Sequence, residues 1–201
     1  SMPSICPVCA EPVSRDESGV AYRCENMQCP AQIKRWIQHF ASRDAMHIEG
    51  LGESLVEQLV SAGMVSEPSD LYHLDEKQVS QLERMAEKSA LNLKRGIEES
   101  KKRDFYRLIY ALGIRHVGIG CARVLEENFQ NINELMAAEQ EKLEKIRDIG
   151  PVVAKSIVSF FSRKSTNTLI QRLISSGLRM ESSGIHDKGA QPLKGKSFVL
   201  T

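Results

Sequence analysis

Residues 114 to 125 read Ile114-Arg115-His116-Val117-Gly118-Ile119-Gly120-Cys121-Ala122-Arg123-Val124-Leu125, and the pattern recurs three more times in the 201-residue chain. The copy that follows is Ile146-Arg147-Asp148-Ile149-Gly150-Pro151-Val152-Val153-Ala154-Lys155-Ser156-Ile157. The first copy is Ile48-Glu49-Gly50-Leu51-Gly52-Glu53-Ser54-Leu55-Val56-Glu57-Gln58-Leu59, and a weaker second one is Leu82-Glu83-Arg84-Met85-Ala86-Glu87-Lys88-Ser89-Ala90-Leu91-Asn92-Leu93. Their starts at 48, 82, 114 and 146 are 34, 32 and 32 residues apart, a fixed period that marks a repeated supersecondary unit. The first and twelfth positions are Ile or Leu, the fourth Leu, Met, Val or Ile, the fifth Gly, Ala, Gly, Gly, and the ninth Val or Ala.

Those constraints describe a helix, a tight hairpin and a second helix. Glycine just before a helix start permits a sharp turn and a close backbone approach. A small residue four places later sits one turn down the same face, where the preceding helix can pack closely. Apolar first and fourth positions pin the turn between the two helices. The second helix then presents unpaired N–H groups and the positive end of its dipole, a site suited to anions. A series of such sites matches successive phosphates of a nucleic acid, and backbone donors read no base, so binding should be insensitive to sequence. The candidate contacts are Gly50, Gly52, Ser54, Arg115, Gly118, Gly120, Arg123, Arg147, Gly150, Val152 and Lys155. Ala86 replaces glycine in the second copy, which is expected to be structural, and Asp148 places a like charge beside any phosphate at the fourth. A protein-binding helical array of similar period stays open as an alternative.

Beyond the repeats, apolar residues three and four apart predict helices over 31–42, 53–62, 87–101, 104–112, 120–129, 139–146, 151–162 and 166–176. Strand signals are few. The fold class is mainly α, a small four-cysteine finger followed by an all-α domain. No apolar run approaches the roughly 18 residues of a membrane helix, and residues 1–4, Ser-Met-Pro-Ser, show no secretory leader.

Charge is distributed unevenly beneath a formal net of +1. Residues 1–81 carry 6 basic and 12 acidic side chains, 82–123 carry 10 and 5, 124–150 carry 3 and 7, and 151–201 carry 8 and 2. Two basic stretches are therefore hidden by cancellation, and they suit a phosphate backbone, although solvated helix faces give the same alternation.

Four of the five cysteines are Cys6, Cys9, Cys24 and Cys29. Two short-spaced pairs, with a hairpin through Asp16-Glu17-Ser18-Gly19 between them, form a zinc pattern. Four sulfurs leave no open position for water, so one structural zinc is expected, and its binding would supply much of the folding energy of so short a segment. Two disulfides are the alternative. His39 and His47 lie within reach in sequence but are not needed as ligands, and Cys121 fits a small core residue.

A finger of this spacing followed by four helix-hairpin-helix copies, with Ala111-Leu112-Gly113-Ile114-Arg115-His116-Val117-Gly118 in the third, resembles the C-terminal portion of bacterial NAD-dependent DNA ligases. The resemblance implies a zinc finger at 1–30, a helix-hairpin-helix DNA-binding domain at 31–181, a linker at 182–192, and at 193–201 the truncated first strand of a BRCT domain. It also implies a monomer acting on nicked double-stranded DNA in replication and repair, in the bacterial cytoplasm at the nucleoid. The family's adenylylated lysine belongs to a Lys-x-Asp-Gly motif absent from this sequence. NAD and Mg would therefore bind the parent enzyme outside this portion, which has no catalytic residue and should be inactive alone. A stand-alone repair or junction-binding scaffold is the alternative from another class.

Overall fold

A computed structural model describes residues 3–15, 22–26 and 28–184. The period read from the sequence reappears as four helix pairs joined by short hairpins. The first pair is α1 (Pro30–Ala41) with α2 (Glu53–Ser61), and the second is α3 (Glu76–Val79) with α4 (Glu87–Ser100). The third is α5 (Phe105–Ala111) with α6 (Ile119–Asn128); after a short α7 (Ile132–Met136), the fourth joins α8 (Gln140–Glu144) to α9 (Pro151–Phe161). A 3-10 helix, Pro68–His73, separates the first two pairs, and α10 (Lys164–Ser175) follows the last.

All eight sequence-predicted helices are present with no end shifted by more than two residues. Helices α3 and α7 and the 3-10 helix were not expected, because four to six residues span too few turns to show a 3.6-residue period. The only strands among the described residues are β1 (Val13–Arg15) and β2 (Tyr22–Cys24), antiparallel with Val13 opposite Cys24 and Arg15 opposite Tyr22. They are the arms of the expected hairpin, whose turn at 16–19 lies outside the described residues, as do 185–201 with the expected BRCT strand.

The repeat positions account for the packing. The ninth position, where close helix approach demands a small side chain, is Val56, Ala90, Ala122 and Ala154, all buried. The twelfth, Leu59, Leu93, Leu125 and Ile157, is buried in every copy. One continuous apolar core extends from Ile33 on α1 to Leu178 beyond α10. Two joints hold the first two repeats against the last two. At one, α1 packs on α5: His39 Nε2 meets the Tyr110 carbonyl at 2.8 Å, the two rings stand edge to face at 4.7 Å, and Arg107 donates to the Arg43 and Ala45 carbonyls at 2.8 and 3.0 Å. At the other, α10 packs on both α9 and the 3-10 helix. No helix is long and apolar enough to cross a membrane among the described residues.

Candidate nucleic-acid interface and metal centre

Each hairpin opens with the same turn. The fourth residue donates its N–H to the carbonyl of the first: Leu51 to Ile48 at 3.4 Å, Met85 to Leu82 at 3.1 Å, Val117 to Ile114 at 3.0 Å and Ile149 to Ile146 at 3.1 Å. The third residue is left-handed in all four, with φ of 85° at Gly50, 61° at Arg84, 65° at His116 and 68° at Asp148. A single positive φ at that place is the signature of a type II turn. The sharp bend thus falls on position three, where three copies carry a residue other than glycine, and not on the position-five glycine that the sequence singled out.

Position five is in each copy the N-cap of the second helix, in ordinary extended backbone: φ is −80° at Gly52, −73° at Ala86, −84° at Gly118 and −85° at Gly150. Its carbonyl accepts the first helical bond from position nine in all four. A Cβ placed on Gly52, Gly118 or Gly150 would meet nothing within 4 Å, and the same holds at Gly120. Neither conformation nor packing requires glycine there. What the missing side chain leaves bare is the outer surface at a helix start.

None of these four helices has a side-chain cap, so the first-turn N–H groups of α2 and α6 remain available as donors, as do those of α9 after Pro151, which has none. The second copy differs, since Ser89 already donates to the Ala86 carbonyl at 2.8 Å. Its hairpin is also held from behind by the Gln58 side chain, which accepts from Glu83 N–H at 2.9 Å and donates to Glu83 O at 3.3 Å.

Arg115, Arg123, Arg147 and Lys155 are exposed at the third and fourth hairpins, as are Gly118, Gly120, Gly150 and Val152. Arg123 lies over the Tyr106 ring at 4.3 Å and donates to its hydroxyl at 3.2 Å, so its guanidinium is held on α5. Arg147 has a carboxylate neighbour, Asp148, at 3.9 Å. Gly50, Gly52 and Ser54 are exposed at the first hairpin, where Glu49, Glu53 and Glu57 supply no cation and Glu57 is paired with Lys34 at 2.6 Å. A cleft of about 520 Å³ between α6 and the fourth hairpin carries Lys145 and Arg147 with Glu127 and Asp148, too mixed in sign for a dedicated anion pocket.

At the other end of the chain the Sγ atoms of Cys6, Cys9, Cys24 and Cys29 lie within 4.8 Å of one another. Two of the separations are 3.5 Å for Cys9–Cys24 and 3.9 Å for Cys6–Cys29. Those separations exceed a disulfide bond of about 2.05 Å and match the roughly 3.8 Å edge of a tetrahedron with Zn–S bonds of about 2.3 Å. The N–H groups of Cys9 and Val8 face Cys6 and bring its thiol down to about 7. At Cys24 the Asn26 N–H favours thiolate, but burial and hydrogen bonds with the other thiols outweigh it and push the thiol up to about 12. Four thiols this close ionise together only when a cation neutralises them, and a zinc ion fits that need. Cys29 is fully buried and is the N-cap of α1, with Pro30 opening the helix, so the centre is built into the start of the helical domain. His39 and His47 lie outside the cluster. Cys121 is half-buried against the core, and burial pushes its thiol up.

Comparison with known proteins agrees with both ends of this description. The NAD-dependent DNA ligase C4 zinc finger domain matches residues 6–31, a SAM-like helix-hairpin-helix tandem matches 42–99, and a helix-hairpin-helix motif matches 107–170. A DNA ligase of Pelotomaculum thermopropionicum is 48% identical over 201 residues, 100% of this chain and 30% of that protein. A DNA ligase of Prosthecochloris aestuarii is 48% identical over 202 residues, and one of Clostridioides difficile 43% over 201, with the same coverage of each. The chain thus spans about 30% of the length of these relatives. A zinc-binding cysteine tetrad feeding directly into tandem helix-hairpin-helix repeats, matched from end to end by these enzymes, places the chain in the NAD-dependent DNA ligase family as a zinc-finger and helix-hairpin-helix portion.

Proposed function

We propose that this chain holds nicked duplex DNA by its phosphates, without regard to base sequence, while the remainder of an NAD-dependent ligase seals the nick. The observation that carries this is the row of bare N-caps. Gly52, Gly118 and Gly150 keep open three helix starts that the fold would allow to carry a side chain, so the constraint comes from something that approaches them. Free N–H donors at the positive end of a helix dipole suit a phosphate oxygen, while Arg115, Arg147 and Lys155 add the unspecific electrostatic attraction. Contacts at the flanking positions Gly50, Ser54, Gly120, Arg123 and Val152 complete the surface.

In this reading residues 1–30 and 31–181 divide the work. The finger is held by one structural zinc and fixes the approach to α1, and the hairpins bind DNA. The contribution to catalysis is positional, keeping the two ends of a nick in reactive register. NAD and Mg belong to the rest of the enzyme, and this portion alone carries no activity. It works as a monomer at the nucleoid, where its substrate is.

Fluorescence anisotropy with a nicked duplex tests this, comparing the parent with Gly118→Val. The parent should bind duplexes of unrelated sequence alike and lose affinity steeply between roughly 50 and 200 mM salt. The variant should bind at least tenfold more weakly. An N-cap valine costs about 1 kcal/mol, so the melting temperature should drop by only about 2–4 °C. Unchanged binding in Gly118→Val would refute the hairpin account.

A further inference from the structure

We infer that Arg172, on α10, is a positioning residue for the DNA grip, clasping the closing helix of the domain to the turn between the first two repeats and so fixing the two hairpin pairs in one mutual geometry. This rests on the DNA-binding reading above. One guanidinium spans two carboxylates more than a hundred residues away in sequence: Arg172 Nη2 donates to Asp70 Oδ1 at 2.7 Å, and Nη1 donates to Glu67 Oε1.

Both carboxylates are also held by groups of their own segment. Asp70 Oδ2 accepts from the Ser66 N–H and hydroxyl, each at 2.8 Å, and from the Glu67 N–H at 3.0 Å. Glu67 Oε1 accepts from the Ser69 hydroxyl, and Glu67 and Asp70 form a capping box on the 3-10 helix. The side chains are 39%, 26% and 18% exposed for Arg172, Glu67 and Asp70, unlike a freely solvated surface pair. A planar fork matches two fixed acceptors in a way that a lysine point charge does not.

The location gives the clasp its consequence. The 3-10 helix packs on α1 and α4 of the first two repeats, and α10 packs on α9 of the fourth. One turn beyond Arg172, the Ser176 hydroxyl lies 3.2 Å from His73 Nε2. The chain after α10 then stitches the same joint: Arg179 N–H donates to Lys101 O at 2.9 Å, and Met180 O accepts from Ile132 N–H at 2.9 Å. The other joint between the repeat pairs is α1 on α5. A single joint lets two rigid bodies swing, and a second on different elements removes that freedom. Two hairpin pairs on one rigid frame bind one duplex as a bivalent unit, whose advantage depends on their spacing being correct in advance.

The test compares the full chain with Arg172→Met, which keeps an apolar stem, and Arg172→Lys, which keeps the charge. Fluorophores on noncanonical residues at Leu91 (α4) and Ser159 (α9) report the distance distribution between the pairs without DNA. Anisotropy is then measured on a nicked duplex of about 24 base pairs and on one of about 8, roughly 80 and 27 Å long at 3.4 Å per pair. The expected result is a broadened distribution in Arg172→Met, at least tenfold weaker binding to the long duplex, less than twofold change on the short one, and partial recovery in Arg172→Lys. An unchanged distribution, equal loss on both duplexes, or no recovery with lysine overturns the proposal. If the parent binds neither duplex, the DNA-binding reading fails, and the distance measurement alone decides whether the clasp exists.

Discussion

Gly96, in the middle of α4, offers a sharp test of how the first hairpin is held. A Cβ built there would lie 2.6 Å from Glu49 O and 3.0 Å from Glu49 N, the backbone of hairpin one. An ordinary contact begins near 3.4 Å, so Gly96→Ala demands a shift of about 0.8 Å between two backbones. On the other side of the dock, Gly50 already rests against Leu93 Cα at a distance of 3.4 Å for its own added Cβ, which leaves little slack. Two effects oppose each other. Alanine improves the helix by about 1 kcal/mol, while overpacking a close interface costs about 1–3 kcal/mol. Because the clash is with backbone and not with the end of a flexible side chain, the upper part of that range applies, about 2–3 kcal/mol, and the net loss is about 1–2 kcal/mol, a fall in melting temperature of about 2–8 °C for a domain this size. Thermal unfolding followed by circular dichroism on the zinc-loaded protein measures it, with Gly118→Ala, where the added Cβ meets nothing, as the control. If Gly96→Ala melts at or above the parent, the close dock of hairpin one on α4 is wrong.

Other expected outcomes concern the metal, acid and salt. Elemental analysis should give one zinc per chain for the parent and none for Cys29→Ser, which should also fray the start of α1, while a chelator should unfold the finger; disulfides in a mass spectrum of the native protein would contradict this. Burial alone would raise Asp70, but the Ser66 N–H, the Arg172 guanidinium and the Ser66 hydroxyl hold it below the usual carboxylate range. Its stabilisation is therefore complete above the unfolded value of about 3.9 and disappears as pH falls through the lower folded value. The urea midpoint of the parent should drop in that acid window more than that of Arg172→Met, and identical acid limbs would count against the pairing. Arg147→Ala should lower the slope of log affinity against log salt by about 1 and weaken all duplex sequences alike; a change confined to one base sequence would show base reading instead.

Much of this architecture is legible without coordinates. The four hairpins stand out because each is a local event, a turn whose flanking side chains must be apolar at fixed spacing, and the same chemistry writes the same pattern each time. Cys6, Cys9, Cys24 and Cys29 are readable for a similar reason, since a tetrahedral ion constrains residue type and spacing. The acidic positions Glu49, Glu53 and Glu57 also separate the first hairpin from the Arg-bearing third and fourth in the sequence itself.

Other features depend on partners far along the chain. The left-handed backbone at Arg84, His116 and Asp148 has no common residue type to announce it, because the turn is imposed by the packed helices on either side. Gly96 looks like an ordinary weak point in a helix until Glu49 is found against it, although a glycine inside an amphipathic run was the available signal. Arg172 sits in a basic C-terminal stretch with nothing local to distinguish it from Arg163 or Lys164. Sequence reading alone locates the repeats, the cysteine cluster and the helices, since short-range periodicity and paired cysteine spacing act within a few residues. It took the folded coordinates to show which glycines leave a helix start uncovered and which make room for a packed backbone, and which arginine spans Glu67 and Asp70, because those roles are set by distances between groups that the chain brings together only on folding.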